Sequence, residues 1–180
     1  PIEAYPDSPL PGLRDHVQRV QLAEGLGFGA VWLRDIPFNV PAFGDAGQIH
    51  DPFVYLGLLA GQTREITLGV SSIVPLRHPV HVAKAAASVD VLSGGRLVLG
   101  VASGDRPQEY PRFGIDYATR GERFRASYAA IRELSAAQAL SSHDPLPRIP
   151  KSMITLECTA ATAYRPKQFG NRQPPLERSE

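Results

Sequence analysis

The chain has 180 residues, of which 43% are hydrophobic and 21% charged, which places it among globular proteins with a core and outside the disordered class. Nineteen basic against eighteen acidic side chains leave a formal charge of +1, so the overall field argues for neither nucleic acid nor membrane as a partner. A single cysteine, Cys158, excludes an intramolecular disulfide framework; with no long apolar run and no leader-like start at Pro1-Ile2-Glu3, the expectation is a cytoplasmic protein.

Residues 13–26 carry apolar side chains at Leu13, Val17, Val20 and Ala23, which is one helical face. Gly25, Gly27 and Gly29 interrupt it, and Ala30-Val31-Trp32-Leu33 reads as a short buried strand. Asp51-Pro52 is a helix start, with Asp51 as N-cap and Pro52 at the first helical position. That helix ends near Gln62, and residues 66–70 (ITLGV) form a second strand. His78-Pro79 opens a third helix that stops before Ser93-Gly94-Gly95, and residues 97–101 (LVLGV) make a third strand. Thr119 and Glu122 have capping-box spacing ahead of a fourth helix with Phe124, Tyr128, Ile131 and Leu134 on one face.

The strand centres fall near residues 31, 68 and 99, and the strands are short, apolar and unalternating. Such strands separated by helices are the mark of parallel βαβ units, in an α/β fold that is either a doubly wound sheet or a (β/α) barrel. Periodicity leaves those two open. Six of the seventeen prolines lie in the last 36 residues, so the chain divides into an ordered part over 1–140 and an irregular tail over 141–180. Within the tail, residues 152–158 (SMITLEC) are a candidate strand.

Gly25-x-Gly27-x-Gly29 looks like a dinucleotide fingerprint but closes a helix instead of opening one, so it reads as a helix C-terminus. Arg34-Asp35 follows the first strand, at the end where α/β sites lie; the pair either holds substrate or closes the loop as a salt bridge. Gly69, Ser71 and Ser72 are small residues where the second strand is expected to end; they either admit a flat ligand to the backbone or simply pack. Ser103-Gly104-Asp105-Arg106 after the third strand offers a hydroxyl, a flexible amide and a guanidinium, suited to a phosphate or a polar ring edge. His78 reads as a cap, and no cluster has the spacing of a metal site or a nucleophile elbow.

Residues 68–107 resemble the luciferase-like flavin-dependent oxidoreductases, the family of bacterial luciferase and its monooxygenase relatives. The marks are His-Pro-Val at 78–80, Asp90, and Leu92-Ser93-Gly94-Gly95-Arg96 leading into a strand that carries Gly100; GFGAVWLRDIPF and DPFVYLGLLAGQT fit as well. The resemblance covers about residues 1–134 and implies a partial (β/α)8 barrel of a shortened family member, with FMN, or in some members a deazaflavin coenzyme, at the C-terminal face. It implies oxidation of a small organic substrate by reduced flavin and oxygen, with a separate flavin reductase as partner; an open half-barrel, with unpaired strand edges and an uncovered core, predicts a homo-oligomer.

By the same resemblance, Val70-Ser71 matches the place of a non-prolyl cis peptide that presses on the flavin ring. Val70, Ser71, Ser72, Ala102, Ser103, Gly104 and Arg106 are then flavin neighbours, with Arg34 and Asp35 on the substrate side. Luciferase has a phosphate-binding arginine where this chain has Ala102-Ser103, and a catalytic histidine where it has Ile36, so light emission is not implied. The alternatives are a deazaflavin-dependent oxidoreductase that transfers hydride, or a non-catalytic truncated remnant acting only as a subunit or binding module.

Overall fold

The computed structural model describes residues 14–43, 50–136 and 154–156. Four helices and four strands alternate along them: α1 (His16–Gly25), β1 (Ala30–Arg34), α2 (Pro52–Gln62), β2 (Thr67–Ile73), α3 (Pro79–Ser93), β3 (Leu97–Ala102), α4 (Arg120–Ala136) and β4 (Ile154–Leu156). The helix ends follow local chemistry. The Asp51 carboxylate accepts the amides of Phe53 and Val54 at 2.9 and 3.2 Å, and His78 Nδ1 accepts that of Val80 at 3.4 Å. At the C-terminus of α1, Gly27 adopts φ +82°, its amide reaching the Glu24 carbonyl and that of Phe28 the Ala23 carbonyl, which is a glycine-dependent helix stop. The expected capping box at α4 does not form. Thr119 Oγ1 donates to the Asp116 carbonyl at 2.7 Å, spending its hydroxyl within the short 3-10 turn Tyr117–Thr119.

All strands are parallel and pair in sequence order, β1-β2-β3-β4. The helices pack α1 on α2, α2 on α3 and α3 on α4. Their buried faces meet one face of the sheet in a single core: Leu56 and Leu59 from α2, Val82, Ala86 and Val89 from α3, and Ile131 from α4 lie against Leu68, Val70, Leu97, Leu99 and Val101. Each such fully buried leucine or valine contributes about 1.5–3 kcal/mol relative to exposure. A doubly wound sheet would reverse its strand order and carry helices on both faces; sequential order with helices on one face is the wall of a barrel. The fold is therefore α/β and a partial (β/α) barrel.

Two expectations change. β2 runs three residues beyond Val70, because Ser71, Ser72 and Ile73 pair with Gly100, Val101 and Ala102, so both serines lie inside the strand. No peptide bond among the described residues is cis, Val70-Ser71 included; the ladder to β1 and β3 continues in regular register through this bond and leaves no bulge there. The strand expected over 152–158 is present at Ile154–Leu156, beside β3. Leu13 and the rest of 141–180 lie outside the described residues.

At the N-terminal end of the strands, Arg96 fastens the helix layer to the sheet. It donates to the carbonyls of Ser93 (2.7 Å), Ile66 (2.8 Å), Ala60 and Thr63 (both 3.1 Å) and to Thr63 Oγ1 (2.9 Å). Beside it, Glu24 accepts the amides of Ile66, Glu65 and Arg64 within 2.9 Å, and these bonds lower its pKa.

Candidate functional site

The C-terminal strand ends carry the chemistry. β1 delivers Asp35, whose side chain is only 3% exposed, to a cluster built by the following strand and its loop. Asp35 Oδ2 accepts Ser72 Oγ and the Ile73 amide, both at 3.1 Å, and Arg77 Nε at 2.7 Å; Oδ1 accepts Arg77 Nη2 at 2.7 Å. The same Nη2 reaches Asp51 Oδ2 at 2.7 Å. Burial opposes the Arg77 charge, but the bonds to Asp35 and Asp51 outweigh it and hold the guanidinium above its ordinary pKa. Burial likewise opposes the Asp51 charge, and Arg77 with the two capping amides brings its pKa down. One arginine thus ties the first loop, the second loop and the head of α2 together.

Asp35 is therefore engaged with Arg77, 42 residues away, and not with its neighbour Arg34. Arg34 ends β1 on the other face of the sheet, exposed and opposite Ser71. On that face Trp32 is 41% exposed and lies flat over two glycines: a Cβ at Gly69 would meet its ring at 2.0 Å and one at Gly100 at 2.8 Å. Its indole N–H donates to Ser71 Oγ at 2.7 Å. Val70 and Ser72 are fully buried on the opposite side, Val70 in the helix-facing core and Ser72 against Asp35. Alternation separates what the sequence had placed side by side: of the β2 trio, only Ser71 turns its side chain to the face that Trp32 covers.

After β3, Ala102 and Ser103 are half-buried, and Gly104 takes φ +77° in contact with Tyr110 and Ile73, where a Cβ would come within 2.9 Å of both. Tyr110 is fully buried; its hydroxyl donates to the Ser103 carbonyl, and burial above all pushes its pKa up to about 12. Arg106 is 2% exposed, beside the buried Glu109 at 3.9 Å and with its guanidinium 4.9 Å from the Phe43 ring centroid. The loop thus turns its arginine inward.

Between these loops lies a cleft of about 330 Å³, lined by Asp35, Ile36, Pro37, His50, Asp51, Pro52, Ile73, Leu76, Arg77 and Phe113. Of the sequence-predicted residues it includes Asp35 alone. Sequence reading passed over Arg77, Phe113 and Trp32; Arg77 stands within the stretch 68–79, where the small residues drew the attention. For the flavin that the resemblance implies, Ala102 and Ser103 give small side chains at the end of β3, which fits the close approach of a flat ring, while Ser71 lies within β2 and accepts the Trp32 indole N–H. Arg106 is buried, 3.9 Å from Glu109. The described residues therefore fit the ring side of such a group.

Comparison with known proteins agrees with this architecture. The family model described as luciferase-like monooxygenase matches residues 2–148. The oxygenase component of a flavin-dependent trigonelline monooxygenase from Acinetobacter baylyi is 32% identical over 124 residues, 66% of this chain and 32% of the relative. An F420-dependent glucose-6-phosphate dehydrogenase from Amycolatopsis mediterranei is 32% identical over 128 residues, 68% of this chain and 38% of the relative. Among solved structures, the monooxygenase RslO1 from Streptomyces bottropensis superposes with a TM-score of 0.66 at 25% identity, over 80% of this chain and 46% of that one. The oxygenating constituent of 3,6-diketocamphane monooxygenase from Pseudomonas putida, in complex with FMN, gives 0.60 at 17% identity over 76% and 40%, a likeness of fold. The chain spans about a third of the length of the curated relatives it matches.

Proposed function

Because this chain belongs to the luciferase-like monooxygenase family, we propose that it builds one wall of the active-site barrel of a flavin-dependent monooxygenase that acts on a small organic substrate. The observation that carries the reading is the run of small residues on neighbouring strands, Ser71 paired with Gly100 and Ala102-Ser103 at the end of β3, on the C-terminal side that also holds the cleft lined by Asp35 and Arg77. Ser71, Ala102, Ser103 and the backbone through Gly104 would hold the flavin ring. When bound, the flavin supplies the electron transfer that no side chain of the chain can perform. Arg34 stands on the substrate side, and Asp35 serves the site through Arg77, by fixing the first loop against the second.

FMN in its reduced form, delivered by a separate reductase, is the first reading; the FMN complex of a solved neighbour and the oxygenase-component relative support it. A deazaflavin used for hydride transfer is the second, supported by the F420-dependent relatives. A homo-oligomer is supported by α2, which has no charged residue while Val54 and Leu58 are 74% and 49% exposed. Among the described residues no helix is long and apolar enough to cross a membrane, and the proposed setting is the cytoplasm. Titration of the folded chain with FMN and with a deazaflavin, followed by cofactor fluorescence, tests the reading. Saturable quenching at micromolar FMN is expected; tighter binding of the deazaflavin would replace the first reading with the second, and no binding of either at millimolar concentration would refute both for this chain.

A further inference from the structure

From the cleft above Arg77 we infer a recognition site for a small organic cation, an ammonium group carried on a compact apolar or aromatic body. The site stands on geometry alone; that such a cation is the substrate class of the enzyme rests on the functional reading above.

The cleft, at about 330 Å³, is at the small end of the range of roughly 300–1,000 Å³ usual for ligand pockets. Among the described residues, the ionisable lining consists of two carboxylates, Asp35 and Asp51, one guanidinium, Arg77, and the imidazole of His50. The carboxylates outnumber the guanidinium, which favours a cation over an anion there. Arg77 already spends its Nε and both Nη2 hydrogens on Asp35 and Asp51, so an incoming carboxylate would find only Nη1 and could not be gripped by both arms of the fork.

The acceptors are better placed. Asp35 Oδ1 and Asp51 Oδ2 converge on the single nitrogen Nη2, and among the described residues each receives that one hydrogen bond, so each keeps acceptor capacity. The Asp51 side chain is 40% exposed and within reach of the cleft. The same cleft is lined by Ile36, Leu76 and Phe113, the last 41% exposed and tilted against Phe38 with ring centroids 5.7 Å apart. Carboxylate acceptors and an exposed aromatic ring in one cleft suit a charged donor with an apolar body.

The test uses the full chain without flavin and three probes of one shape: benzylammonium, benzyl alcohol and benzoate, titrated at pH 7 against the backbone amide signals of the protein. Benzylammonium is expected to bind saturably and to shift signals around Arg77 and Phe113, with an affinity at least about fivefold above that of benzoate, the scale of a partly exposed ion pair. Asp51→Asn keeps an N-cap for α2 and removes one charge, so the preference should fall toward the level of the alcohol. Phe113→Ala, at an exposed ring, should weaken benzylammonium without touching the ion pairs. Benzoate binding as tightly as benzylammonium, a preference unchanged in Asp51→Asn, or no probe binding to the folded chain would each overturn the inference. Flavin titration without amine judges the other reading separately, so either can fail alone.

Discussion

Replacing Arg77 by methionine keeps the length of the side chain and removes both ion pairs. The carboxylate left behind at Asp35 is 3% exposed, so water reaches little of it. Stranding one member of a buried pair costs about 3–5 kcal/mol. Arg77 itself is 30% exposed, and Asp35 keeps the Ser72 hydroxyl and the Ile73 amide, so the lower end, about 3 kcal/mol, is expected for Arg77→Met. Urea unfolding followed by circular dichroism at pH 7 measures it. Adding Asp35→Asn should recover part of the loss, since no buried charge then remains. A deficit below about 1 kcal/mol at pH 7, the range of a surface pair, or a double variant no more stable than Arg77→Met, would refute the argument that Asp35 depends on Arg77.

Gly69→Ala puts a methyl group 2.0 Å from the Trp32 ring and must displace the indole; we expect a loss of about 1–3 kcal/mol together with a shift in tryptophan emission, and an unchanged spectrum would contradict the packing. Trp32 is the only tryptophan in the sequence, so the signal is unambiguous. Arg96→Met removes five hydrogen bonds between α2, α3 and the starts of β2 and β3; a loss of at least about 3 kcal/mol in urea unfolding is expected, and a near-neutral result would show those bonds to be replaced by water. Tyr110 is raised from 10.0 to about 12, so the folded state holds its proton more tightly than the unfolded state does. Stability should therefore decline as the pH rises from 10 toward 12, and Tyr110→Phe should remove that part of the decline.

Much of the wall was legible in residues. Asp51-Pro52 and His78-Pro79 mark helix starts through capping chemistry that acts over three residues, and the structure places both within that range. Strand order was not legible, because a parallel strand reads as the same apolar run in a barrel and in a doubly wound sheet. For the same reason Val70, Ser71 and Ser72 could not be assigned to faces: with both sides of β2 covered, by helices on one and by Trp32 on the other, alternation leaves no trace in hydrophobicity. Arg34-Asp35 shows the other limit. Adjacent opposite charges suggest a pair, yet neighbours on a strand point to opposite faces, and the true partner of Asp35 arrives from the next βα unit. Arg106 is the converse: its type suits a phosphate, but it is 2% exposed, beside Glu109 and the Phe43 ring.

The packing of each helix on the next, beside strands paired in chain order, has a consequence for how such a protein changes over time. Each βα unit leans chiefly on its immediate neighbours, as in a solenoid, so its energetics approach a sum of unit terms and junction terms. A chain built this way can gain, lose or exchange whole units at its ends while the inner junctions stay as they were. Arg96 and the Asp35–Arg77 pair are such junctions, one at each end of the strands, joining successive units. Recombination that respects these joints would conserve the wall and vary the loops above it, so that new chemistry could be tried on an unchanged frame.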